Sequence, residues 1–380
     1  ALTRSYMGFA GSVNRAYKTG STKLMRTLMF MFFITCLVSV AFFFKQDVSV
    51  YDLWINPINL GLILGGILFG FGMSFSSCCA SGVLTDLITG LPRALTTLVF
   101  FGMGVFLGFP VQNSADWVTK SWFTSPVGEQ MTGGVFLPDL FKWDGLEGYL
   151  GALVFTALLC GIVVAASYAY ENSRKKNNMF IGTPMEKVQE QLDVTVKDDY
   201  AMSSERSYDR AFIKPWSMKQ GVVVITILFA ILMGVTKAGW GASTPYGLWF
   251  GKALMMVGVS PDSLATFAKM KPDGFILPFF EHAISVQNFG IIVGTSIYLL
   301  TAGIFKKTFF EEINVSFREL MLYALGGLSM GFGTRLSNGC NVGALYTPIA
   351  NFSLSGWFFL AAMVVGGIIG NKFARKLFKN

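Results

Sequence analysis

The chain has 380 residues but only one histidine, five cysteines and 14% charged residues. A lone histidine and cysteines with no CxxC spacing argue against a Cys/His zinc site and against a disulfide-stapled small domain. No cofactor or metal is therefore expected. No phosphate-cradling GxxxxGK[ST] loop occurs, so direct use of ATP is not expected. The shortage of charge is the most restrictive absence. Soluble domains carry about 25% charged residues, whereas this chain is 53% hydrophobic and 15% aromatic. The net charge of +8 does not indicate nucleic acid, because many of the basic residues flank hydrophobic runs. The composition fits an all-α polytopic membrane protein, with the lipid bilayer as its main partner.

Several apolar stretches approach the roughly 20 residues that a helix needs to cross a bilayer. Eight spans are expected, near 26–44, 57–76, 93–113, 148–170, 220–240, 284–305, 319–336 and 353–372. Before Asp47 there are six basic residues (Arg4, Arg15, Lys18, Lys23, Arg26 and Lys45) and no acid. The tail is also basic, with Lys372, Arg375, Lys376 and Lys379. The positive-inside rule places both termini in the cytoplasm of a bacterial-type inner membrane. The acidic residues of 111–147 suit the opposite side, and the balanced charge of 241–283 leaves its side open. The opening Ala1, with no methionine or signal-peptide pattern, leaves room for residues upstream. A polar stretch at 171–219 divides the chain into an N-terminal membrane half, 1–170, and a C-terminal half, 220–380. It is read as a cytoplasmic linker, in part helical.

The strongest internal signal is a duplication. GFGMSFSSCCASG at 70–82 and GFGTRLSNGCNVG at 331–343 align at an offset of 261. Gly70, Phe71, Gly72, Ser76, Cys79 and Gly82 then match Gly331, Phe332, Gly333, Ser337, Cys340 and Gly343. The pair Gly65-Gly66 matches Gly326-Gly327. One span precedes the first copy and six precede the second, so the copies enter the membrane from opposite sides. That parity is the mark of an inverted repeat of two helical halves. The short stretches after each motif, 80–90 and 341–351, read as re-entrant helices, tolerated only where buried or lining a cavity. They would bring Cys79 and Cys340 to a central passage.

Ser76, Ser77, Ser337 and Asn338 are N-cap residue types for those short helices. The N–H groups that follow, including that of Asn341, would face an anion. Arg335 is either a charge that draws the anion inward, or a side chain that snorkels or pairs with Asp86. Cys78 stands where the second copy has Gly339, either packing or modulating Cys79. Cys36 and Cys160 lie in plain apolar spans and read as small hydrophobes. His282, beside Glu281, reads as a surface or capping residue. The glycines serve close helix packing before any contact with substrate.

The two motif segments resemble the signatures of the YeeE/YedE family of sulfur-compound transporters. The N-terminal RSYMGFAGSVNRAYKTGSTKLMR and the weaker QNFGIIVG at 287–294 extend the resemblance over both membrane halves but not the linker. It implies import of a small sulfur-containing anion such as thiosulfate, with a selenium compound as an alternative. It also implies a passage in which cysteines hand the anion along by S–H···S contacts, a role that falls on Cys79 and Cys340. Gly8 stands where the family carries a further cysteine, and SSCCASG where relatives tend to have GGCxxG. Two other readings compete with a simple permease. One is a membrane thiol oxidoreductase or sulfurtransferase, favoured only by the vicinal Cys78-Cys79. The other is a membrane subunit that docks a soluble sulfur-carrier protein through 171–219.

Overall fold

The structure is a computed structural model that describes residues 1–191, 205–310 and 313–377. The 192–204 part of the expected linker and the tail residue Lys379 lie outside the described residues. Within them the chain is helical and forms no strand. The helices that matter here are α1 (Gly11–Thr19), α2 (Lys23–Phe43), α3 (Leu60–Ser76), α4 (Ala80–Thr89), α5 (Leu91–Gln112) and α6 (Tyr149–Lys176). They are followed by α7 (Met218–Thr236), α8 (Thr244–Met256), α9 (Ala283–Thr301), α10 (Phe317–Leu336) and α11 (Ser355–Leu377).

Seven helical stretches among the described residues are long and apolar enough to cross a membrane. They are α2, the α3–α4 stretch, α5, α6, α7, α9 and α11. The eighth expected span, 319–336, is a helix of suitable length, but it is less apolar than the other seven. Arg318 and Glu319 at its start and Arg335 near its end account for much of this. Its inner face packs against protein rather than lipid, so bilayer-grade apolarity is not required of it. One boundary also moved, since helix α6 continues to Lys176, past the expected start of the linker; within the linker, expected to be in part helical, a further helix spans Pro184–Glu190. That helix is tied to the N-terminal segment: Ser21 donates to Glu186 at 2.6 Å and Gln189 to the Ser5 carbonyl at 2.8 Å.

Four helices pack around the motif residues through glycine. Helices α3 and α10 cross antiparallel, with Gly65 against Gly333 and Gly72 against Gly326. A Cβ on Gly65 would lie 2.5 Å from the Gly333 carbonyl oxygen, and one on Gly72 2.4 Å from that of Gly326. Helix α5 runs alongside α10 in the same direction, with Gly327 on Thr97 and Gly331 on Phe101. Helix α11 runs alongside α3 in the same way, with Gly66 on Ala362 and Gly70 on Met363. Contacts this close need residues without a Cβ. A Cβ at Gly331 would lie 2.2 Å from the Phe101 carbonyl oxygen, whereas one at Gly161 on α6 would meet nothing within 4 Å. Gly331→Ala is expected to destabilise the protein by about 1–3 kcal/mol through overpacking. Gly161→Ala should leave the melting temperature in detergent unchanged, and the two variants are compared in one thermal scan.

Part of segment 241–283 packs beside the start of 111–147. Asn113 donates to the Ala268 carbonyl and Lys269 to Ser114, each at 2.8 Å. His282 is a cap, as its sequence context suggested. Its Nδ1 accepts from the Ser285 N–H at 3.2 Å at the start of α9.

Candidate functional site

The two motif copies fold alike at the level of single dihedrals and hydrogen bonds. Ser77 and Asn338, equivalent at offset 261, both adopt left-handed backbone, with φ of 58° and 55°. Cys79 (φ −120°, ψ −175°) and Cys340 (φ −103°, ψ −165°) are both extended. Ser76 Oγ donates to the Gly72 carbonyl at 3.2 Å, and Ser337 Oγ to the Gly333 carbonyl at 2.8 Å. The Cys79 carbonyl accepts from Val83 N–H, and the Cys340 carbonyl from the equivalent Ala344. The copies differ in winding. Ala80–Thr89 is α-helix, whereas Asn341–Tyr346 is a π turn that runs into the short helix Thr347–Ala350.

This geometry corrects the capping assignment. Ser76, Ser77, Ser337 and Asn338 do not cap the helices that follow; they terminate the helices that precede. Ser76 and Ser337 bond back to the carbonyl four residues earlier, a competing use of a hydroxyl inside a helix. Ser77 and Asn338 supply the left-handed turn just beyond. The N-cap positions belong to Cys79 and Cys340 themselves. Each thiol therefore sits at a helix start, where free N–H groups carry partial positive charge.

The thiols form a buried layer: Cys78, Cys79 and Cys340 are 3%, 1% and 1% exposed. All five cysteines are free. Tyr246 of α8, also buried, donates its hydroxyl to the Ala80 carbonyl and lies within electrostatic reach of all three motif thiols. Cys79 Sγ is 3.6 Å from Ser81 Oγ. Asn341 Nδ2 contacts Met73 Sδ at 3.2 Å, while its Oδ1 is buried without a partner. A buried amide so poorly satisfied among sulfur atoms is well placed to meet a polar visitor. Cys36 and Cys160 instead donate to the carbonyls of Ile349 and Met29. The asymmetry at Cys78 has a steric cause, since a Cβ at the equivalent Gly339 would lie 2.4 Å from the Gly343 carbonyl carbon.

A polar vestibule of about 420 Å³ lies on the 111–147 side, lined in part by Asn56, Gln112, Ser243, Thr244, Arg335 and Asn338. Gly339 and Gly343, which flank Cys340, also line it. Arg335 is only 3% exposed. It neither snorkels nor pairs with Asp86, which is bound to Arg93 at 3.2 Å. Its guanidinium donates to Ser243 Oγ (2.9 Å), Thr244 Oγ1 (3.2 Å), Gln112 Oε1 (3.3 Å) and Thr334 Oγ1 (3.3 Å). Asn338 Oδ1 accepts from Gln112 Nε2 at 2.6 Å, which fixes that amide with its oxygen toward the arginine. Among the described residues no carboxylate pairs with Arg335. A buried cation surrounded only by neutral oxygens is costly, and four of its five N–H donors are occupied.

Ser243 brings this charge toward a thiol: it accepts from Arg335 and lines the same vestibule as Gly339 and Gly343, the neighbours of Cys340. On the opposite face of the layer Ser77 is exposed, and Lys18 Nζ lies 3.5 Å from its hydroxyl.

The sequence reading brought Arg335, Asn338 and Cys340 to one place but missed Gln112, Ser243, Thr244 and Tyr246. The signal for the last three was GASTPYG at 241–247, where two hydroxyls and a proline open a helix. That helix, of 13 residues, is too short to count as a span.

Buried thiols and an enclosed arginine inside a bundle of helices long and apolar enough to cross a membrane define a polytopic membrane protein with a buried polar site. The sulphur-transport family matches residues 4–369, and the chain belongs to it. It is 24% identical over 341 residues to a thiosulfate transporter, TsuA, of Spirochaeta thermophila, covering 88% of this chain and 84% of that protein. It is also 29% identical over 167 residues to the probable transporter YedE of Escherichia coli K12, and 28% identical to that of Salmonella typhimurium LT2. Those matches cover 42% of this chain and 38% of each relative. The family and these relatives are all named for transport.

Proposed function

We propose that the chain is a permease for thiosulfate or an anion like it, held by Arg335 and passed between Cys340 and Cys79. The observation that carries this reading is the uncompensated Arg335, held by Ser243 in a vestibule that the neighbours of Cys340 also line. Thiosulfate has an oxyanion end and a soft terminal sulfur. The guanidinium, with Thr244 and Gln112 around it, suits the oxyanion. The weak, polarizable S–H donor of Cys340 suits the sulfur. The anion then passes Tyr246, Asn341 and Met73 to Cys79, and leaves past Cys78, Ser77 and Lys18. The likeness to TsuA over most of the chain supports thiosulfate over a selenium compound.

The antiparallel crossing of α3 and α10, the matched turns and the matched cysteine caps support an inverted repeat of halves 1–170 and 220–380. In this reading, α4 and the 341–350 segment are re-entrant. The basic N-terminal segment and tail support an inner-membrane protein with both termini in the cytoplasm. The 171–219 stretch would then face a soluble sulfur carrier. Uptake of radiolabelled thiosulfate into proteoliposomes, with unlabelled sulfate, sulfite and selenium analogues as competitors, tests the substrate. Thiosulfate should compete at least tenfold better than sulfate, and equal competition by sulfate would remove the thiols from selectivity.

Gly8 offers a separate test. A Cβ there would meet nothing within 4 Å, and no positive φ constrains the residue. Gly8→Cys should therefore keep the wild-type melting temperature and uptake rate, and the new thiol should react with maleimide. A loss of folding would show that this position is closed to a side chain.

A further inference from the structure

A second recess, of about 560 Å³, opens on the flank of the bundle between α7 and α9. Leu228 and Leu232 of α7 and Ile291 and Ile297 of α9 line it. Leu228 and Ile297 are each 55% exposed, so the recess faces what surrounds the protein rather than its core. Along α9 its lining runs from Gln287 to Thr301, which is about 21 Å at 1.5 Å per residue. One leaflet of a bilayer has a hydrocarbon depth of about 15 Å. The recess is therefore long enough for an acyl chain and part of the headgroup level.

Its upper end, at the start of α7 and the end of α9, has a different chemistry. Arg4 lies there with its guanidinium 4.5 Å from the Trp216 ring and 5.8 Å from the Tyr298 ring. Its donors reach the main-chain carbonyls of Lys214 (3.0 Å), Arg210 (2.6 Å) and Ala211. These partners hold the side chain in place but leave its charge unneutralised, and among the described residues no carboxylate pairs with it. Tryptophan and tyrosine are the aromatic residues of the membrane interface. An apolar slot ending in a fixed cation beside interface-type aromatic rings is complementary to an anionic lipid.

We propose that this groove is a binding site for one anionic phospholipid, with an acyl chain between α7 and α9 and the phosphate at Arg4. Thr85 of α4 also lines the groove. The bound chain thus touches the helix that Cys79 caps, giving membrane composition a route to the thiol layer. The site is independent of which anion the passage carries.

Native mass spectrometry of the purified full chain, titrated separately with phosphatidylglycerol and phosphatidylcholine, tests the proposal. Wild type should retain one phosphatidylglycerol in preference to phosphatidylcholine. Arg4→Gln should cut the phosphatidylglycerol preference about fivefold, the scale of one basic residue at a charged membrane surface. Leu228→Trp, which fills the groove from an exposed position, should displace the bound lipid while Arg4 remains. Equal retention of the two lipids by wild type, or full retention by Leu228→Trp, would overturn the site. If Arg4→Gln fails to fold, the Leu228→Trp result decides alone.

Discussion

Arg335→Gln lowers thiosulfate uptake at sub-saturating substrate by about tenfold to a hundredfold, while the protein remains folded. Hydrogen bonds to a charged group contribute about 1.5–3 kcal/mol each, and every 1.4 kcal/mol is tenfold in affinity. Glutamine keeps polar contact with Ser243 and Thr244 but removes the charge proposed to draw an anion into the vestibule. Because that charge is buried without a counter-ion, its removal costs the resting fold little, and the melting temperature should hold or rise. Arg335→Lys should recover only part of the loss, since lysine is a point charge without the planar fork that spans several acceptors. Initial uptake rates over a substrate range, read beside thermal unfolding, separate these effects. Unchanged uptake by Arg335→Gln would remove the residue from the path.

The second large effect concerns the thiols. Cys340→Ser and Cys79→Ser should each slow uptake about tenfold, a barrier rise of about 1.4 kcal/mol. Serine preserves a donor of similar shape but replaces a soft sulfur with a harder, better-solvated oxygen. The layer is almost wholly buried, so that oxygen gains a partner only by binding a neighbouring backbone group rather than the passing anion. The double variant should fall by about the product of the two if each thiol independently lowers one shared rate-limiting barrier, and by little more than the slower single variant if they act at successive steps. Cys36→Ser and Cys160→Ser should keep most of the rate, because those thiols serve only the carbonyls of Ile349 and Met29. Full transport by the double variant would leave the motif acting through its backbone amides alone.

Much of this arrangement is legible in the amino-acid sequence. The eight apolar runs located the long helices because bilayer crossing imposes length and composition together. The offset of 261 located both cysteines and the glycines that let α3 and α10 cross. Three features were less visible. Apolarity is a proxy for lipid contact, so it could not show that α10 carries a charged residue, Arg335, enclosed within protein. Residue type suggested that the serines and Asn338 would cap, yet the backbone gave the extended cap positions to Cys79 and Cys340. Nothing local marked Gln112 or Ser243 as partners of Arg335, since Gln112 lies 223 residues and Ser243 92 residues from it in the chain. Such contacts exist only once α5, α8 and α10 have packed.

The most direct test of the account is protection of Cys340 from iodoacetamide by substrate, read by peptide mass spectrometry on protein in proteoliposomes. Reagent added on the vestibule side should reach Cys340 before Cys79, because Gly339 and Gly343 beside it line that vestibule. Thiosulfate at concentrations that saturate uptake should slow the Cys340 reaction severalfold, sulfate should not, and Arg335→Gln should abolish the protection. Labelling of Cys340 at the same rate with and without saturating thiosulfate would contradict the claim that the anion sits between Arg335 and this thiol.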